Sequence, residues 1–371
     1  MYLTDVVTLP RFCIGRGVLS RFPALCAPLG GTFAVIGGKT AMEKGLPPLR
    51  AALADGGPGL LAALPFGGAC TQAAMERLAD ALRPLHPDFL VGMGGGKAID
   101  TVKGTAHLLG LPLVSVPTLV SNCAPITALS VVYREDGPFE RFLFYDAPPV
   151  LTLVDLAIAA KAPAAYFRAA LGDTLAKHLE ATFSAKADRL GDTLDHMSAI
   201  GIALSSTCYD PILAFGRAAL DEAECGEAGP AMELCARSVI VSAGLVSLLA
   251  NDDYNCALAH AVCYGLQLFP HVEHTCLHGD LVAYGALVQL VLDGQEDMAR
   301  RLRDFLITLG TPVTLAQMSV PLDRAALEPT LAEATEGPDM AHIPYPVTRD
   351  MVYEAMLRVE ALSPAVPGAQ A

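Results

Sequence analysis

Three groups of residues in this chain have types and spacings suited to chemistry. Gly92-Met93-Gly94-Gly95-Gly96-Lys97 is a glycine-rich turn, Asp173 lies in Gly172-Asp173-Thr174-Leu175-Ala176-Lys177, and His260, His271, His274 and His278 crowd one later stretch. Glycines let a backbone approach phosphate oxygens closely, and a following helix adds unpaired N–H groups and the positive end of its dipole. A carboxylate with imidazoles is a ligand set for a divalent cation such as zinc. The chain therefore holds the pieces of a pyrophosphate cradle and of a metal centre.

Local spacing favours particular choices among these residues. His274 and His278 stand four apart, which would put both rings on one helical face, while the distant His260 reads as a core histidine. Around Asp173 the apolar stripe is Leu171, Leu175, Leu179 and Phe183, so Asp173 and Lys177 read as an outward i,i+4 ion pair. The glycine turn departs from the G-x-G-x-x-G pattern and, taken alone, reads equally as a tight structural turn. Its context favours phosphate, because Asp88-Phe89-Leu90-Val91 predicts a strand before it and Lys97 to Leu109 a helix after it.

The elements that must position these groups follow from the hydrophobic pattern. At 371 residues, 53% of them apolar, the chain is long enough for two packed domains. Phe33-Ala34-Val35-Ile36, Phe89 to Val91 and Pro112-Leu113-Val114-Ser115-Val116 predict strands, and Thr71 to Leu82 predicts a helix among them. That alternation implies an α/β domain with a parallel, doubly wound sheet over residues 1–160. From 161 to 371 an all-helical domain is expected, with helices over Ala165 to Leu190, Asp192 to Phe215, Gly229 to Leu249 and Gly279 to Leu292. Ser363 to Gly368 reads as a frayed tail.

Composition narrows the function classes. The net charge of −14 and the absence of a Lys/Arg run argue against a nucleic-acid partner. No apolar stretch reads as a membrane span, and Met1 to Asp5 lacks the basic and apolar regions of a signal peptide, so a cytoplasmic protein is expected. The ten cysteines form no C-x-x-C pair, which excludes a zinc knuckle of that type and leaves buried thiols as the simplest reading.

Taken in order, the motifs carry a wider pattern. Gly92-x-Gly94-Gly95-Gly96-Lys97-x-x-Asp100-x-x-Lys103, Pro117-Thr118-x-x-Ser121-x-x-Ala124, Ser130-Val131-x-Tyr133, Gly172-Asp173, His260-Ala261 and His278-Gly279 resemble the metal-dependent, iron-containing type of alcohol dehydrogenases. The nearest branch is similar to glycerol dehydrogenase and hydroxycarboxylate dehydrogenase, over about residues 5 to 355. The resemblance implies a parallel-sheet dinucleotide-binding domain followed by a helical metal-binding domain, the dehydroquinate synthase-like architecture. It implies NAD or NADP and one divalent metal on Asp173, His260 and His278, which leaves His274 lining the pocket rather than ligating. Cofactor contacts implied in the same way are Gly94, Gly95, Gly96, Lys97, Asp100, Thr118, Ser121, Ser130 and Tyr133. A homo-oligomer acting on a small molecule is also implied.

This chain departs from the pattern at two places. Iron-binding members carry a fourth ligand histidine where this chain has Lys177, and three ligands with an open position favour zinc over iron. His178 is one residue off, turned about 100° around the helix. Glycerol dehydrogenases place an aspartate where Cys123 stands in Ser121-Asn122-Cys123-Ala124-Pro125. That change weakens glycerol as a substrate and favours a 2-hydroxy acid or its 2-oxo counterpart. Lys39, following the second strand, would tolerate the 2′-phosphate of NADP.

The implied reaction is hydride transfer between nicotinamide and a hydroxy compound, with the metal as Lewis acid on the alcohol oxygen. His271 and His274 are candidates for relaying the proton, His274 being counted with the three ligands as catalytic. Alternatives are a tailoring dehydrogenase acting on a peptide or secondary-metabolite hydroxyl, a dehydroquinate-synthase-like cyclase, and a non-catalytic scaffold. The shortage of basic residues near the histidines speaks against the cyclase, and the retained ligand set against the scaffold.

Overall fold

The computed structural model describes residues 7–362, so the terminal segments Met1 to Asp5 and Ser363 to Gly368 lie outside the described residues. In chain order the strands are β1 (Arg11–Gly15), β2 (Thr32–Gly37), β3 (Gly59–Pro65), β4 (Phe89–Gly94), β5 (Leu113–Pro117), β6 (Leu129–Tyr133), β7 (Phe139–Phe144) and β8 (Leu151–Asp155). Six of them form one parallel sheet in the order β1-β8-β5-β4-β2-β3. Strands β4, β5 and β8 are buried at every residue, as expected of a sheet covered on both faces, whereas the edge strand β3 alternates. Phe33 of β2 pairs with Phe89 of β4, and their rings stack 5.3 Å apart in the core.

The sheet positions the glycine turn through its topology. The chain runs from β2 outward to β3, then returns to place β4 on the other side of β2, so the order reverses between β2 and β4. The C-terminal ends of two such strands open a crevice where parallel α/β sheets bind ligands. Gly37 and Gly38 end one of these strands, and Gly94 to Gly96 end the other.

Most local expectations match the observed elements. The helix expected over Thr71 to Leu82 spans Gln72–Leu82, with the Thr71 hydroxyl accepting from the Ala74 N–H at 3.1 Å as its N-cap. The helix after the glycine turn spans Gly96–Leu109 and ends at Gly110, whose φ of 65° is left-handed. Two expected helices are shorter or divided. The first ends at Ser184, and the second breaks into His196–Leu204 and Ser206–Glu224, its start fixed by Asp195 capping Ser198. Strands β1, β3 and β8 and the antiparallel ribbon β6–β7 are additions to what the pattern predicts.

The residues form two compact units. One comprises 1–164 with 221–248, and the other comprises 165–220 with 249–371. The single boundary expected at residue 160 therefore misses a return of the chain: Asp221–Leu248 is helical in pattern yet belongs to the sheet-containing unit. The membrane-span reading also needs correction. The stretches His196–Glu224 and Pro230–Leu249 are long and apolar enough, by length and composition, to cross a membrane. The second reaches that length because the π-turn Ser238–Ser242 joins Pro230–Arg237 to Ala243–Leu249 without a break. Its Cys235, Ala236, Val239, Ile240 and Val246 are fully buried, and the core helix of a globular protein passes the same test.

Candidate active site

The three consecutive glycines give the turn no side chains of its own, and Leu119 and Asn122 stand against it. Gly94 has a φ of 153°, and a Cβ there would lie 2.8 Å from the Ala98 Cβ. Gly95 is the N-cap of the helix Gly96–Leu109 and has no side chain to occupy the free N–H groups that follow it. The turn is braced by the Thr118 N–H donating to Gly94 O at 3.1 Å and the Gly38 N–H donating to Met93 O at 3.2 Å. A helix N-terminus opening at a switch point, with no Cβ in the way, fits a pyrophosphate.

Around this turn the sequence-identified residues separate into two groups. Lys97 is exposed, and its Nζ lies 5.0 Å over the Tyr133 ring, so a cation and an aromatic face from β6 stand together beside the turn. Thr118 is buried, Ser121 is half-buried, and Lys39 is exposed as the first residue of the helix Lys39–Ala52. Asp100 and Ser130 are committed elsewhere. Asp100 Oδ1 accepts from Lys103 Nζ at 3.0 Å, its Oδ2 accepts from the Val131 N–H at 3.2 Å, and Ser130 Oγ donates to Asp100 O at 2.8 Å. Burial pushes the Asp100 carboxyl up, against the charge and hydrogen bond of Lys103. This buried network ties the helix to the β6–β7 ribbon, so Asp100 and Ser130 serve the framework that holds the turn.

The second constellation is assembled by three helices, Ala164–Ser184, Leu258–Gln267 and His278–Leu292. Their glycines set how closely they approach. A Cβ on Gly279 would meet Ala169 O at 2.0 Å, one on Gly172 would meet Gly279 O at 2.8 Å, and one on Gly285 would meet Ala259 O at 2.2 Å. Backbone thus touches backbone, and the residues next to two of these glycines, Asp173 and His278, are brought together. Gly279→Ala is expected to destabilise the fold by about 2–3 kcal/mol, as overpacking against a fixed carbonyl does, in urea unfolding monitored by circular dichroism.

Asp173, His260 and His278 each offer one ligand atom, and these atoms all lie within 4.8 Å of one another. His260 Nε2 is 3.5 Å from Asp173 Oδ1, close to the ~3.4 Å edge of a tetrahedron with ~2.1 Å bonds. Burial works against a charge on Asp173, yet the His260 hydrogen bond and the positive potential of His278, His260 and Lys177 hold its carboxyl below the usual range. Burial likewise opposes charge on His260, and Cys256, Glu180 and Asp173 outweigh it, raising the affinity of the ring for a proton. At His278 burial outweighs the neighbouring carboxylates and lowers the affinity of the ring for a proton, so an ionised carboxylate stands beside an imidazole that favours its neutral form, a donor set that fits a divalent cation.

Glu180, absent from the residues singled out in the sequence, completes this site. It is fully buried, Oε2 lies 2.7 Å from His260 Nδ1, and Oε1 accepts from the N–H groups of Ala257 at 2.8 Å and His260 at 2.9 Å. A signal was present: it lies seven residues, about two turns, beyond Asp173 on one helix and stands among the apolar Leu179, Ala181 and Phe183. Cys263, also missed, is buried with its Sγ 3.4 Å from His278 Nδ1.

The His274–His278 pairing suggested by spacing is not formed. His274 lies on the short helix Pro270–Thr275, and extended backbone at Cys276 and Leu277 separates it from the helix that begins at His278. His274 is outside the ligand group found among the described residues. His271 Nε2 faces Ser319 O at 3.2 Å. Lys177 is not simply an outward partner of Asp173, since its Nζ donates to Asn255 O at 2.7 Å. His178 turns away to Ser205 Oγ at 2.7 Å, as its position on the helix predicts.

Comparison with known proteins decides the family. The model described as "Iron-containing alcohol dehydrogenase" matches residues 10–156. The chain is 32% identical over 350 residues to a glycerol dehydrogenase of Escherichia coli O6:H1, covering 94% of each chain. The chain belongs to the iron-containing alcohol dehydrogenase family. Hydroxycarboxylate dehydrogenase A of Escherichia coli K12 is 33% identical over 298 residues, covering 80% of this chain and 81% of that one. The crystal structure of a probable glycerol dehydrogenase from Sinorhizobium meliloti 1021 superposes with a TM-score of 0.83 at 26% identity, covering 96% of this chain and 98% of that one. As a member of this family the protein is an oxidoreductase acting on the CH–OH group of a small molecule, with a nicotinamide cofactor and a metal. Its architecture, a parallel-sheet domain followed by a helical one, is the fold of that family.

Proposed function

We propose that this alcohol dehydrogenase holds one zinc ion on Asp173, His260 and His278, binds NAD or NADP on Gly94, Gly95 and Gly96 and the helix they open, and interconverts a 2-hydroxy acid with its 2-oxo acid. The observation that carries the reading is the convergence of three ligand atoms from three helices within 4.8 Å. Lys177 at the fourth position, turned to Asn255, leaves a three-ligand set, and that favours zinc over iron. A bound metal would supply Lewis acidity to the alcohol oxygen, and the nicotinamide would supply the hydride-transfer chemistry. The sheet-containing unit is assigned the dinucleotide and the helical unit the metal, in a cytoplasmic homo-oligomer.

The chain's own residues have distinct tasks in this reading. Gly94 to Gly96 and the first N–H groups of their helix hold the diphosphate, with Thr118 and Ser121 on the adjoining loop. Lys97 and Tyr133 form a cationic and aromatic wall. Lys39, exposed at the end of β2, accepts a 2′-phosphate and gives room for NADP. His271 and His274, both exposed, carry the released proton to water.

Substrate preference rests on Cys123, half-buried as the N-cap of the turn Ala124–Ile126. A carboxylate there would accept polyol hydroxyls and repel an anionic substrate. At ~4 Å and an effective dielectric near 20, one unit charge is worth about 4 kcal/mol. Wild-type kcat/KM should be higher for 2-oxo acids than for glycerol, and Cys123→Asp should shift the ratio toward glycerol by at least tenfold. The related glycerol dehydrogenases make the opposite outcome concrete. Glycerol preferred by the wild type, or an unchanged ratio in the variant, would leave the polyol as substrate.

A further inference from the structure

We infer that Glu180 is a positioning residue that selects which nitrogen of His260 faces the metal. This rests on the assignment of Asp173, His260 and His278 as ligands. An imidazole can ligate only through a nitrogen that carries no proton, and the partner of the other nitrogen decides which one that is. Glu180 Oε2 lies 2.7 Å from His260 Nδ1, and a carboxylate offers acceptors alone, so the ring proton resides on Nδ1. Nε2, 3.5 Å from Asp173 Oδ1, is then the nitrogen that would give up its proton to make room for a metal.

The same carboxylate fixes the direction of the ring. Ala257, the N-cap of the helix Leu258–Gln267, has no side-chain cap of its own. Glu180 Oε1 replaces one from a neighbouring helix, accepting from the N–H groups of Ala257 and His260. One fully buried side chain therefore holds the start of the helix, the backbone of His260 and its imidazole. The hydrogen bond to Nδ1 favours the ring orientation in which Nε2 faces Asp173.

Glu180→Gln is nearly isosteric and reverses the proton assignment. With its amide oxygen kept by the two backbone N–H groups, its NH2 takes the place of Oε2 and donates to Nδ1. The ring proton must then move to Nε2, where the metal binds. Two readouts on the full-length protein test this: zinc affinity by competition with a chromophoric chelator, and the His260 tautomer by NMR of protein labelled with 15N-histidine. The variant should bind zinc 10- to 100-fold more weakly, the usual effect of losing such a partner. The metal-loaded wild type should show zinc on Nε2 and a hydrogen-bonded proton on Nδ1.

The wild-type spectrum decides the matter even where the variant fails to fold. Zinc on Nδ1 of His260, or an unchanged affinity in Glu180→Gln beside a wild type that binds zinc, overturns this inference and leaves the ligand assignment intact. A wild type that takes up no zinc, cobalt or iron overturns the ligand assignment and this inference with it.

Discussion

His260→Ala is expected to leave the protein with less than a tenth of the wild-type metal content and to lower kcat/KM by about 10³-fold or more. Removing one of three ligands opens the site, and the Lewis acidity lost is worth several kcal/mol, where ~4 kcal/mol corresponds to that factor. His274→Ala is the informative companion. His274 lies on a separate short helix and outside the ligand group, so that variant should keep its full metal content. Elemental analysis of both purified variants, read beside steady-state kinetics, checks the pair. Metal retained in His260→Ala and lost in His274→Ala would reverse the assignment and restore the pairing that spacing alone suggests.

The second large effect is expected at the glycine turn. Gly95→Val should raise the dissociation constants of NAD(H) and NADP(H) by at least ~100-fold, equivalent to about 2.7 kcal/mol, because its branches stand where the backbone must meet phosphate. Gly95 has an ordinary φ of −89°, and its Cβ would lie 3.2 Å from a methyl of Leu119, a half-buried side chain with room to shift. The melting temperature should therefore move little. Gly94→Ala should behave differently, since Gly94 combines a φ of 153° with a 2.8 Å approach to Ala98. Its loss should appear first in thermal unfolding. Fluorescence titration of the reduced cofactor with a melting curve for each variant separates the two, and unchanged cofactor affinity in Gly95→Val would remove the cradle.

The glycine turn and the ligand cluster were not equally legible. The strand, glycine turn and helix from Phe89 to Leu109 follow each other without interruption, and their spacing predicts their structure. What spacing could not supply is the destination of side chains whose partners are remote. Asp100 lies on the helix that the turn opens, yet it turns to Lys103 and β6 and forms part of the framework. Among the histidines, spacing points to His274, and a resemblance was needed to prefer His260.

By itself the sequence determined the local features: the alternation that makes the first unit a parallel α/β sheet, the glycine turn at the end of β4, and the candidate ligands. Each depends on interactions within a turn or two of chain, where periodicity, caps and glycine conformations are decisive. Only the tertiary structure decided that Asp221–Leu248 returns to the sheet-containing unit, that extended backbone at Cys276 and Leu277 isolates His274, and that Glu180 orients His260. The physical reason is helix-to-helix approach. Gly172, Gly279 and Gly285 bring three backbones into contact, and the distances that make a metal site arise from that packing between segments remote in sequence.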